Sequence, residues 1–311
     1  MIVLVTAVGG DIGQTLLRIL RRWDAVSTVI GTDIADDTVG RFRVDQFLTV
    51  KPAGDPSYVA DMLTICRKHH VDVLIPVNES EIKRLAVGTE EFPDLQRRVV
   101  SASGKHFDIC FDKLETNRFL GARGIPVPWA HPADERPPEY PCVMKRRSGS
   151  GSKGFRLLND EEERLFYVHR ERGTLLQQYL GSDDEEYTCG VYRSKLTSEC
   201  RVIVLRRRLM GGLSGKAVVV GNEEIKQYCI RVVEALELFG SVNLQLRMTN
   251  DGPKLFEINP RFSSTAGFRD AVGFRDVRWS IDELLGRRAE SYDEAKAIGR
   301  RFYRYFDELY L

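Results

Sequence analysis

Short apolar runs alternate with amphipathic stretches through the first hundred residues of the chain. Apolar runs rich in β-branched residues predict strands, and apolar positions repeated every three to four residues predict helices between them. The predicted strands cover residues 2–6, 27–33 and 71–77, and the predicted helices cover residues 12–23 and 58–69. Because strands and helices in alternation favour a parallel sheet covered by helices, we expect an α/β domain here.

A proline-rich stretch at residues 126–141 separates this pattern from a different one. Its six prolines disfavour helix and indicate a boundary or a connector. The predicted strands beyond it are residues 142–145, 155–158, 174–180, 186–193 and 199–207, and the predicted helices are residues 160–172 and 223–240, the second closed by Gly240. This order of elements is typical of an α+β fold.

A predicted hairpin, SVNLQLRM-TNDG-PKLFEINPR, carries polar side chains at every second position of both strands. Alternate residues of a strand point to the same face of a sheet. Glu257, Asn259 and Arg261 are therefore expected to share one face. Phe256 and Ile258 are expected to face the core.

The length of the turn decides which residues of this hairpin lie opposite each other. A two-residue loop at Asp251–Gly252 would set Gln245 opposite Ile258. A three-residue loop that includes Asn250 would set Gln245 opposite Glu257 instead. We favour the second register because it brings both polar stripes onto one face.

The oxygen atoms on that face suit magnesium, which prefers hard oxygen ligands, few of them from protein, with phosphate and water completing the shell. Glu257 can bridge two ions, and Asn259 and Gln245 each add an amide oxygen. Arg261, just beyond them, would then face the charge that develops on a transferring phosphoryl group. A solvated sheet face is the alternative interpretation of the hairpin.

The first glycine-rich loop, VTAVGGDIGQ, follows a strand and opens a helix, and Asp33 ends the next strand. A dinucleotide fingerprint would need glycine where Val8 stands, so the pattern is incomplete. The alternative is that Gly9, Gly10 and Gly13 let the helix pack closely on the sheet. A dinucleotide-binding oxidoreductase is kept as an alternative function.

The second glycine-rich loop, MKRRSGSGSKGF, follows a predicted strand that contains Lys145. Backbone N–H groups in such a loop can form an anion nest, and a lysine adds a point charge for phosphate oxygens. The loop is no Walker A sequence, because GxxxxGK[ST] is absent and a strand follows it. We expect it to cover phosphates as a lid, with a flexible surface linker as the alternative.

The charges of the chain nearly balance, with 46 basic and 45 acidic residues and a net charge of +1. This balance gives no general attraction to nucleic acid or anionic lipid, so small-molecule partners are expected. No apolar run approaches the roughly 20 residues that a membrane span needs, and the N-terminus lacks a signal-peptide pattern. A cytoplasmic protein is expected. The six cysteines contain no CxxC spacing, so neither zinc nor a disulfide framework is indicated.

These motifs together resemble the ATP-grasp superfamily, most of all its carbamoyl-phosphate-synthetase-type and biotin-carboxylase-type modules. The resemblance covers about residues 105–285, and the preceding residues resemble the Rossmann-like domain that comes before this fold. It implies a Rossmann-like parallel sheet at residues 1–104 and an ATP-grasp fold at residues 105–311. Two α+β subdomains are implied there, a small lid at about 130–180 and a metal-binding part at about 181–311.

The matching segments imply roles for individual residues. FDKLETNRFL and PCVMKRRSGSGSKG each place a phosphate-binding lysine, and LLQQYLGSDDEEYTCGVY resembles the hinge that holds adenine and ribose. The implied nucleotide-binding residues are Lys113, Lys145, Ser148, Gly149, Ser150, Gly151, Gly154, Gln178, Tyr179, Leu180 and Glu186. The implied metal ligands are Gln245, Glu257 and Asn259, and Gln245 stands where a carboxylate is commoner. Arg261 and Lys145 are implied in catalysis.

Two segments are candidates for binding the substrate. Arg206 or Arg208, in the run RRRLMGGLSGK, would clamp a carboxylate, with a solvated strand edge as the alternative. Ser263 and Ser264 would cap a helix whose N-terminus binds an anion, and Arg269 would add charge.

The resemblance implies a carboxylate-amine, or carboxylate-thiol, ligase that uses ATP and two Mg²⁺ ions, with Mn²⁺ as a substitute. A carboxylate would attack ATP to form an acylphosphate, which an amine would then displace. The expected partners are a small carboxylate and an amine, without nucleic acid or membrane, and a homodimer is possible. An ATP-grasp kinase-like phosphotransferase is a further alternative.

Overall fold

The structure is a computed structural model that describes residues 1–88, 92–149, 154–181, 185–305 and 307–311. The first elements are β1 (Ile2–Val5), α1 (Asp11–Leu20), β2 (Thr28–Asp33), a 3-10 helix (Val39–Arg43), β3 (Gln46–Thr49), α2 (Tyr58–Lys68), β4 (Val73–Ile75), α3 (Glu79–Gly88) and α4 (Pro93–Gln96). The four strands form a parallel sheet in the order β3-β2-β1-β4. The apolar pattern missed only β3 in this sheet, because that edge strand is half-exposed and begins and ends with polar residues.

The glycines of the first loop serve the packing of α1 on this sheet. A Cβ at Gly13 would lie 2.5 Å from the carbonyl oxygen of Ala7, so only glycine allows the close approach. The backbone N–H of Gly9 donates to the Asp33 carboxylate at 2.9 Å. The packing interpretation therefore accounts for the loop, and Asp33 has a partner within the protein.

A four-stranded antiparallel sheet, the lid sheet, forms in the middle of the chain. The elements that lead to it and form it are β5 (Ser103–Gly104), a 3-10 helix (Phe107–Phe111), α5 (Lys113–Gly121), β6 (Ala130–Pro132), β7 (Cys142–Arg146), β8 (Arg156–Leu158), α6 (Glu161–Val168) and β9 (Thr174–Gln178). The strand order is β6-β9-β7-β8. Its core consists of the buried residues Ala133, Cys142, Met144, Leu158 and Leu176.

The largest sheet follows and is mainly antiparallel. Its elements and those around it are β10 (Glu186–Arg193), β11 (Cys200–Met210), β12 (Leu213–Val219), α7 (Glu223–Ala235), β13 (Leu238–Thr249), β14 (Gly252–Asn259), α8 (Ala266–Ala271), α9 (Asp276–Leu284), α10 (Glu294–Ala297) and β15 (Arg301–Tyr303). The order is β14-β13-β10-β11-β12-β15, and β5 pairs with β13. This sheet is the floor of the site described below.

Helix α7 covers one face of the large sheet, but it ends earlier than the sequence pattern predicts. It stops at Ala235, and Glu237 has a positive φ of 50° that breaks the helix. Leu238 then begins β13, and Gly240 lies inside that strand. None of the helices in the described ranges has the length and apolar content that a membrane span requires.

The β13–β14 hairpin pairs Gln245 with Glu257 as predicted, but its loop is shorter than the predicted three residues. Thr249 pairs with Gly252, so the loop contains only two residues, Asn250 and Asp251. A β-bulge at Phe256 then shifts the register by one residue, which sets Gln245 opposite Glu257. The bulge also turns Phe256 away from the core, contrary to our expectation for that side chain.

The segment after β14 packs against the N-terminal sheet. Phe262, Ala266, Val277 and Ile281 belong to the same buried cluster as residues of β1 and α1. This shared core brings the end of β14 close to the carboxyl ends of the parallel strands.

Candidate active site

A cavity of about 650 Å³ lies between the lid sheet and the large sheet. Both sheets contribute to its walls. The lining residues are Lys113, Val143, Lys145, Arg146, Ser148, Gly149, Phe155, Gln177, Gln178, Tyr179, Leu180, Glu186, Arg207, Leu209, Gly212, Gln245, Arg247, Phe256 and Glu257. One part of the wall is apolar and aromatic, and the rest combines basic residues with two carboxylates, so the cavity suits a ligand with a flat ring and an anionic tail.

Most of the nucleotide-binding residues implied by the resemblance lie in this wall. Those are Lys113, Lys145, Ser148, Gly149, Gln178, Tyr179, Leu180 and Glu186. Ser150 and Gly151 lie outside the described residues. Gly154 lies beside Arg146 with a positive φ of 77°, outside the lining, so it serves the turn before β8.

Lys113 stands at the first position of α5, where Asp112 caps the helix by accepting hydrogen bonds from two backbone N–H groups. Its Nζ donates to the carbonyl oxygen of Gly149 at 2.7 Å and lies 3.2 Å from Oε1 of Glu257. Lys113 therefore connects the second glycine-rich loop to the large sheet.

Lys145 lies on β7 and reaches across the cavity to the large sheet. Its Nζ donates to the carbonyl oxygen of Phe256 at 2.9 Å, at the β-bulge. The residue is half-buried, but protein surrounds the ammonium group, and this desolvation lowers the pKa of Lys145 to about 7. The negative charge of Glu257 opposes that shift, and Lys113 adds to it.

The three expected metal ligands lie on one face, but their oxygen atoms differ in availability. Gln245 Oε1 accepts a hydrogen bond from Arg207 at 2.8 Å. Asn259 is buried, and its Oδ1 accepts from Arg261 at 3.1 Å. Only Glu257 presents a carboxylate, and its contact is the flexible ammonium of Lys113.

Within this set, the Glu257 carboxylate is the group best suited to a magnesium ion. One carboxylate together with nucleotide phosphates is a common protein contribution to a Mg²⁺ site, and Glu257 can supply it. Within the described ranges there is no cluster of three or more His, Cys, Asp or Glu side chains arranged for a metal. The expectation that Gln245 holds an ion disagrees with the guanidinium that already occupies its oxygen.

Glu186 lies in the wall, but its carboxylate is engaged by two arginines that the sequence analysis did not select. Its Oε1 accepts from Arg207 at 2.8 and 3.0 Å, and its Oε2 accepts from Arg247 at 3.0 Å. The side chain is buried, so the ribose contact expected of Glu186 would require breaking this pair.

The arginine of β11 that faces the cavity is Arg207, while Arg206 and Arg208 point to the opposite face. The cause is the two-residue period of a strand. Arg206 and Arg208 line an open groove of about 450 Å³ there, together with Lys216 and Arg301. This placement does not support a substrate clamp by Arg206 or Arg208 at the cavity between the two sheets. A run of three arginines gave no signal for choosing among them.

The remaining substrate candidates lie outside the lining as well. Arg269 is fully buried, and its Nη2 donates to Asp276 at 2.7 Å, so it joins elements of the core. Ser263 Oγ bonds to Thr265 Oγ1 at 2.8 Å. Ser264 uses its carbonyl oxygen to accept from Arg304. Helix α8 has only six residues, and the expected anion site at its start is not supported.

Arg261 follows β14 at the junction with the N-terminal sheet. Burial lowers its pKa, while the carboxylates of Glu79, Glu257 and Asp11 act in the opposite direction. Two of these acids come from the N-terminal sheet region, so Arg261 lies where the two parts of the molecule meet.

The fold and the cavity define a class of nucleotide-binding proteins, and the comparisons identify it. The family described as "ATP-grasp domain" matches residues 110–265, which is half of the chain, and "PylC-like, N-terminal domain" matches residues 3–100. The chain belongs to the ATP-grasp family. The resemblance expected from the motifs and the predicted fold class are both confirmed.

Individual relatives agree with this assignment. The carbamoyl phosphate synthase large chain of Pyrococcus furiosus is 28% identical over 190 residues, which cover 52% of this chain. The match spans only 18% of that relative's length.

Two solved structures share the fold at low sequence identity. N5-carboxyaminoimidazole synthetase from Staphylococcus aureus, complexed with ADP, superposes with a TM-score of 0.74 at 16% identity, covering 94% of this chain and 79% of its own. The biotin carboxylase domain of 2-oxoglutarate carboxylase from Hydrogenobacter thermophilus, in complex with MgADP and bicarbonate, gives a TM-score of 0.69 at 14% identity. The superposition covers 96% of this chain and 73% of that domain's chain.

Proposed function

We propose that this protein is an ATP-dependent ligase that joins a small carboxylate to an amine, or to a thiol, through an acylphosphate. The observation that carries the proposal is the placement of Lys113 and Lys145 beside Glu257 in the wall of one cavity. Membership of the ATP-grasp family, and relatives that are synthases, synthetases and carboxylases, support an ATP-dependent ligase.

The nucleotide would bind with its ring in the apolar part of the cavity. Gln178, Tyr179 and Leu180 line this end of the lid sheet, and Phe256 faces them from the large sheet. The triphosphate would then extend toward the two lysines, whose ammonium groups would exchange protein oxygens for phosphate oxygens. Glu257 would hold the Mg²⁺ that accompanies the phosphates, which neutralises part of their charge.

The reaction would proceed in two displacements. A carboxylate oxygen of the substrate attacks the γ-phosphorus, and the bond from that phosphorus to the bridging oxygen breaks, so ADP leaves. The amine nitrogen then attacks the acyl carbon, loses a proton, and inorganic phosphate leaves. Lys145 and Arg261 would stabilise the charge on the transferring group, and enclosure between the sheets would exclude water.

The proposal extends to the organisation of the chain. Residues 1–104 would form the domain that precedes the ATP-grasp fold, residues 130–180 its lid, and residues 181–311 the metal-binding part. A near-neutral net charge supports small substrates as partners, and the proposal includes a cytoplasmic location and a homodimer.

The test is ADP release with ATP, Mg²⁺ and pools of carboxylates, in the presence and absence of amines and thiols. Phosphate release that depends on both an acid and a nucleophile is expected. Glu257→Gln and Lys145→Ala are each expected to lower turnover by roughly 10²-fold or more. Arg206→Gln, on the opposite face of β11, serves as the matched control and should retain the rate. Transfer of phosphate that ends at a stable phosphorylated product would favour a kinase-like enzyme.

A further inference from the structure

Arg207 forms a hydrogen bond with Oε1 of Gln245, the atom through which that side chain would have to bind a metal ion. Its Nη2 donates to Gln245 Oε1 at 2.8 Å, on the cavity side of the large sheet. Gln245 pairs across the strands with Glu257, so Arg207, Gln245 and Glu257 lie next to one another in one wall. Resting on the proposed function, we propose that the Arg207 guanidinium takes the place of one divalent cation. The nucleotide then binds with a single metal ion, held by Glu257.

The position of Arg207 is fixed by four hydrogen bonds within the protein. Its Nε and Nη2 donate to Glu186 Oε1, its Nη1 donates to Ser214 Oγ at 3.1 Å, and Nη2 is shared with Gln245. The residue is only 8% exposed. A guanidinium held in this way cannot move aside for a metal without taking its hydrogen bonds away from Oε1 of Glu186 and Oε1 of Gln245.

The charges around Gln245 also disfavour a divalent ion. Glu186 lies between the positive charges of Arg207 and Arg247, and the charge nearest to the Gln245 oxygen is the Arg207 guanidinium. Gln245 is neutral and cannot offset it. Arginine does not lose its proton in proteins, so the positive charge is permanent. Glu257 differs from Gln245 because its side chain is a negatively charged carboxylate. Its contact, Lys113, has a flexible side chain whose ammonium group can turn to a phosphate.

The number of metal ions bound per nucleotide tests the inference directly. Mn²⁺ bound to the full-length protein is counted by equilibrium dialysis with saturating ADP, and with a non-hydrolysable ATP analogue. One Mn²⁺ per bound nucleotide is expected for the wild-type protein. Electron paramagnetic resonance should show no spin–spin coupling between manganese ions.

Variants of the pair provide the complementary result. Arg207→Gln combined with Gln245→Glu replaces the guanidinium with a carboxylate and is expected to bind a second, coupled Mn²⁺. Arg206→Gln, which changes the neighbouring arginine on the other face, should keep one. Glu257→Gln should weaken the single site at least 10-fold. The wild-type count decides the question even where the double variant does not fold.

The outcomes separate this inference from the proposed function. Two Mn²⁺ ions per nucleotide on the wild-type protein would overturn the inference and leave the ligase proposal intact. Failure of the wild-type protein to bind either nucleotide would overturn the proposed function, and the inference with it.

Discussion

At the scale of single residues, the environment of the Lys145 ammonium group favours the binding of an anion. The ammonium group has one neutral acceptor, the Phe256 carbonyl oxygen, and its pKa is lowered to about 7 because protein has replaced water around it. A phosphate group placed against Lys145 would favour the charged form and raise the pKa again. Nucleotide binding and proton uptake should therefore be linked.

Calorimetry in buffers of different ionisation enthalpy measures this linkage. Below the lowered pKa, at about pH 6, Lys145 is already protonated, so few protons should be taken up when MgADP binds. Above it, at about pH 8, the lysine is mostly neutral, and uptake approaching one proton per nucleotide is expected. The difference between wild type and Lys145→Met isolates this residue from the titration of the nucleotide. An equal uptake in both proteins would contradict the assignment.

The buried Glu186 between two arginines is the second residue from which a prediction follows. Glu186→Gln would leave Arg207 and Arg247 without the carboxylate that balances them, and breaking a buried pair costs about 3–5 kcal/mol. The free energy of unfolding, from urea titration, should fall by roughly this amount. Glu185→Gln is the matched control, because Glu185 is exposed and accepts a hydrogen bond from the Tyr187 hydroxyl. Similar losses in the two variants would argue against a structural role for the cluster.

At the scale of elements, the β11–β12 hairpin positions the cavity side chains of β11. Met210 pairs with Leu213, so Gly211 and Gly212 form a two-residue turn, with φ of 58° and 79°. Both angles lie in the region that favours glycine, as this type of hairpin turn requires. The turn sets the pairing of Leu209 with Ser214, and a register shift between Arg208 and Leu209 then sets Arg207 opposite Ala217.

Substitution of the first turn glycine tests this requirement. Gly211→Ala should lower the free energy of unfolding by roughly 1 kcal/mol, because alanine is strained at a positive φ. Gly121→Ala, near the end of α5, is the control, since its backbone angles are ordinary and an added Cβ meets Val127 at 3.5 Å. That change should be neutral or stabilising. Equal free energies of unfolding for the two alanine variants would contradict the requirement for glycine at position 211.

The elements also show what the sequence could and could not predict. The sequence placed α1 and the polar stripes of the hairpin correctly because one buried face decides the pattern of each. It placed β1 correctly because that strand is a continuous apolar run inside a parallel sheet. The predicted end of α7 was wrong because Phe239, an apolar residue at helical spacing, lies in β13 instead and pairs with Ser103 of β5. The Phe256 bulge has no signal in the sequence, since the same residues fit an unbroken strand.

At the scale of the whole molecule, the candidate site depends on parts of the chain that lie far apart. Lys113 comes from α5, Lys145 from the lid sheet and Glu257 from the large sheet, and acids of the N-terminal region surround Arg261. Sequence motifs identified most of these residues one by one. The sequence did not identify Arg207 and Arg247 as site residues, because their role depends on contact with Glu186. That contact forms only when the strands pair in the folded sheet.

The shared core predicts that the two halves depend on each other. A fragment of residues 105–311 would expose Phe262, Ala266, Val277 and Ile281, which pack against the N-terminal sheet. We expect this fragment to be aggregation-prone and to unfold at lower urea concentration than the whole chain. The control is the uncleaved full chain that carries a protease site after residue 104. A fragment as stable and monomeric as the whole chain would contradict the shared core.

The contacts of the two lysines have a consequence for selectivity. Each ammonium group is bonded to oxygen atoms of the protein itself, so an incoming ligand must compete with those acceptors at two places at once. A molecule with a single phosphate offers the two lysines fewer oxygen acceptors than a di- or triphosphate does. Adenosine monophosphate should thus be a poor competitor against the di- and triphosphates, although it carries the same ring.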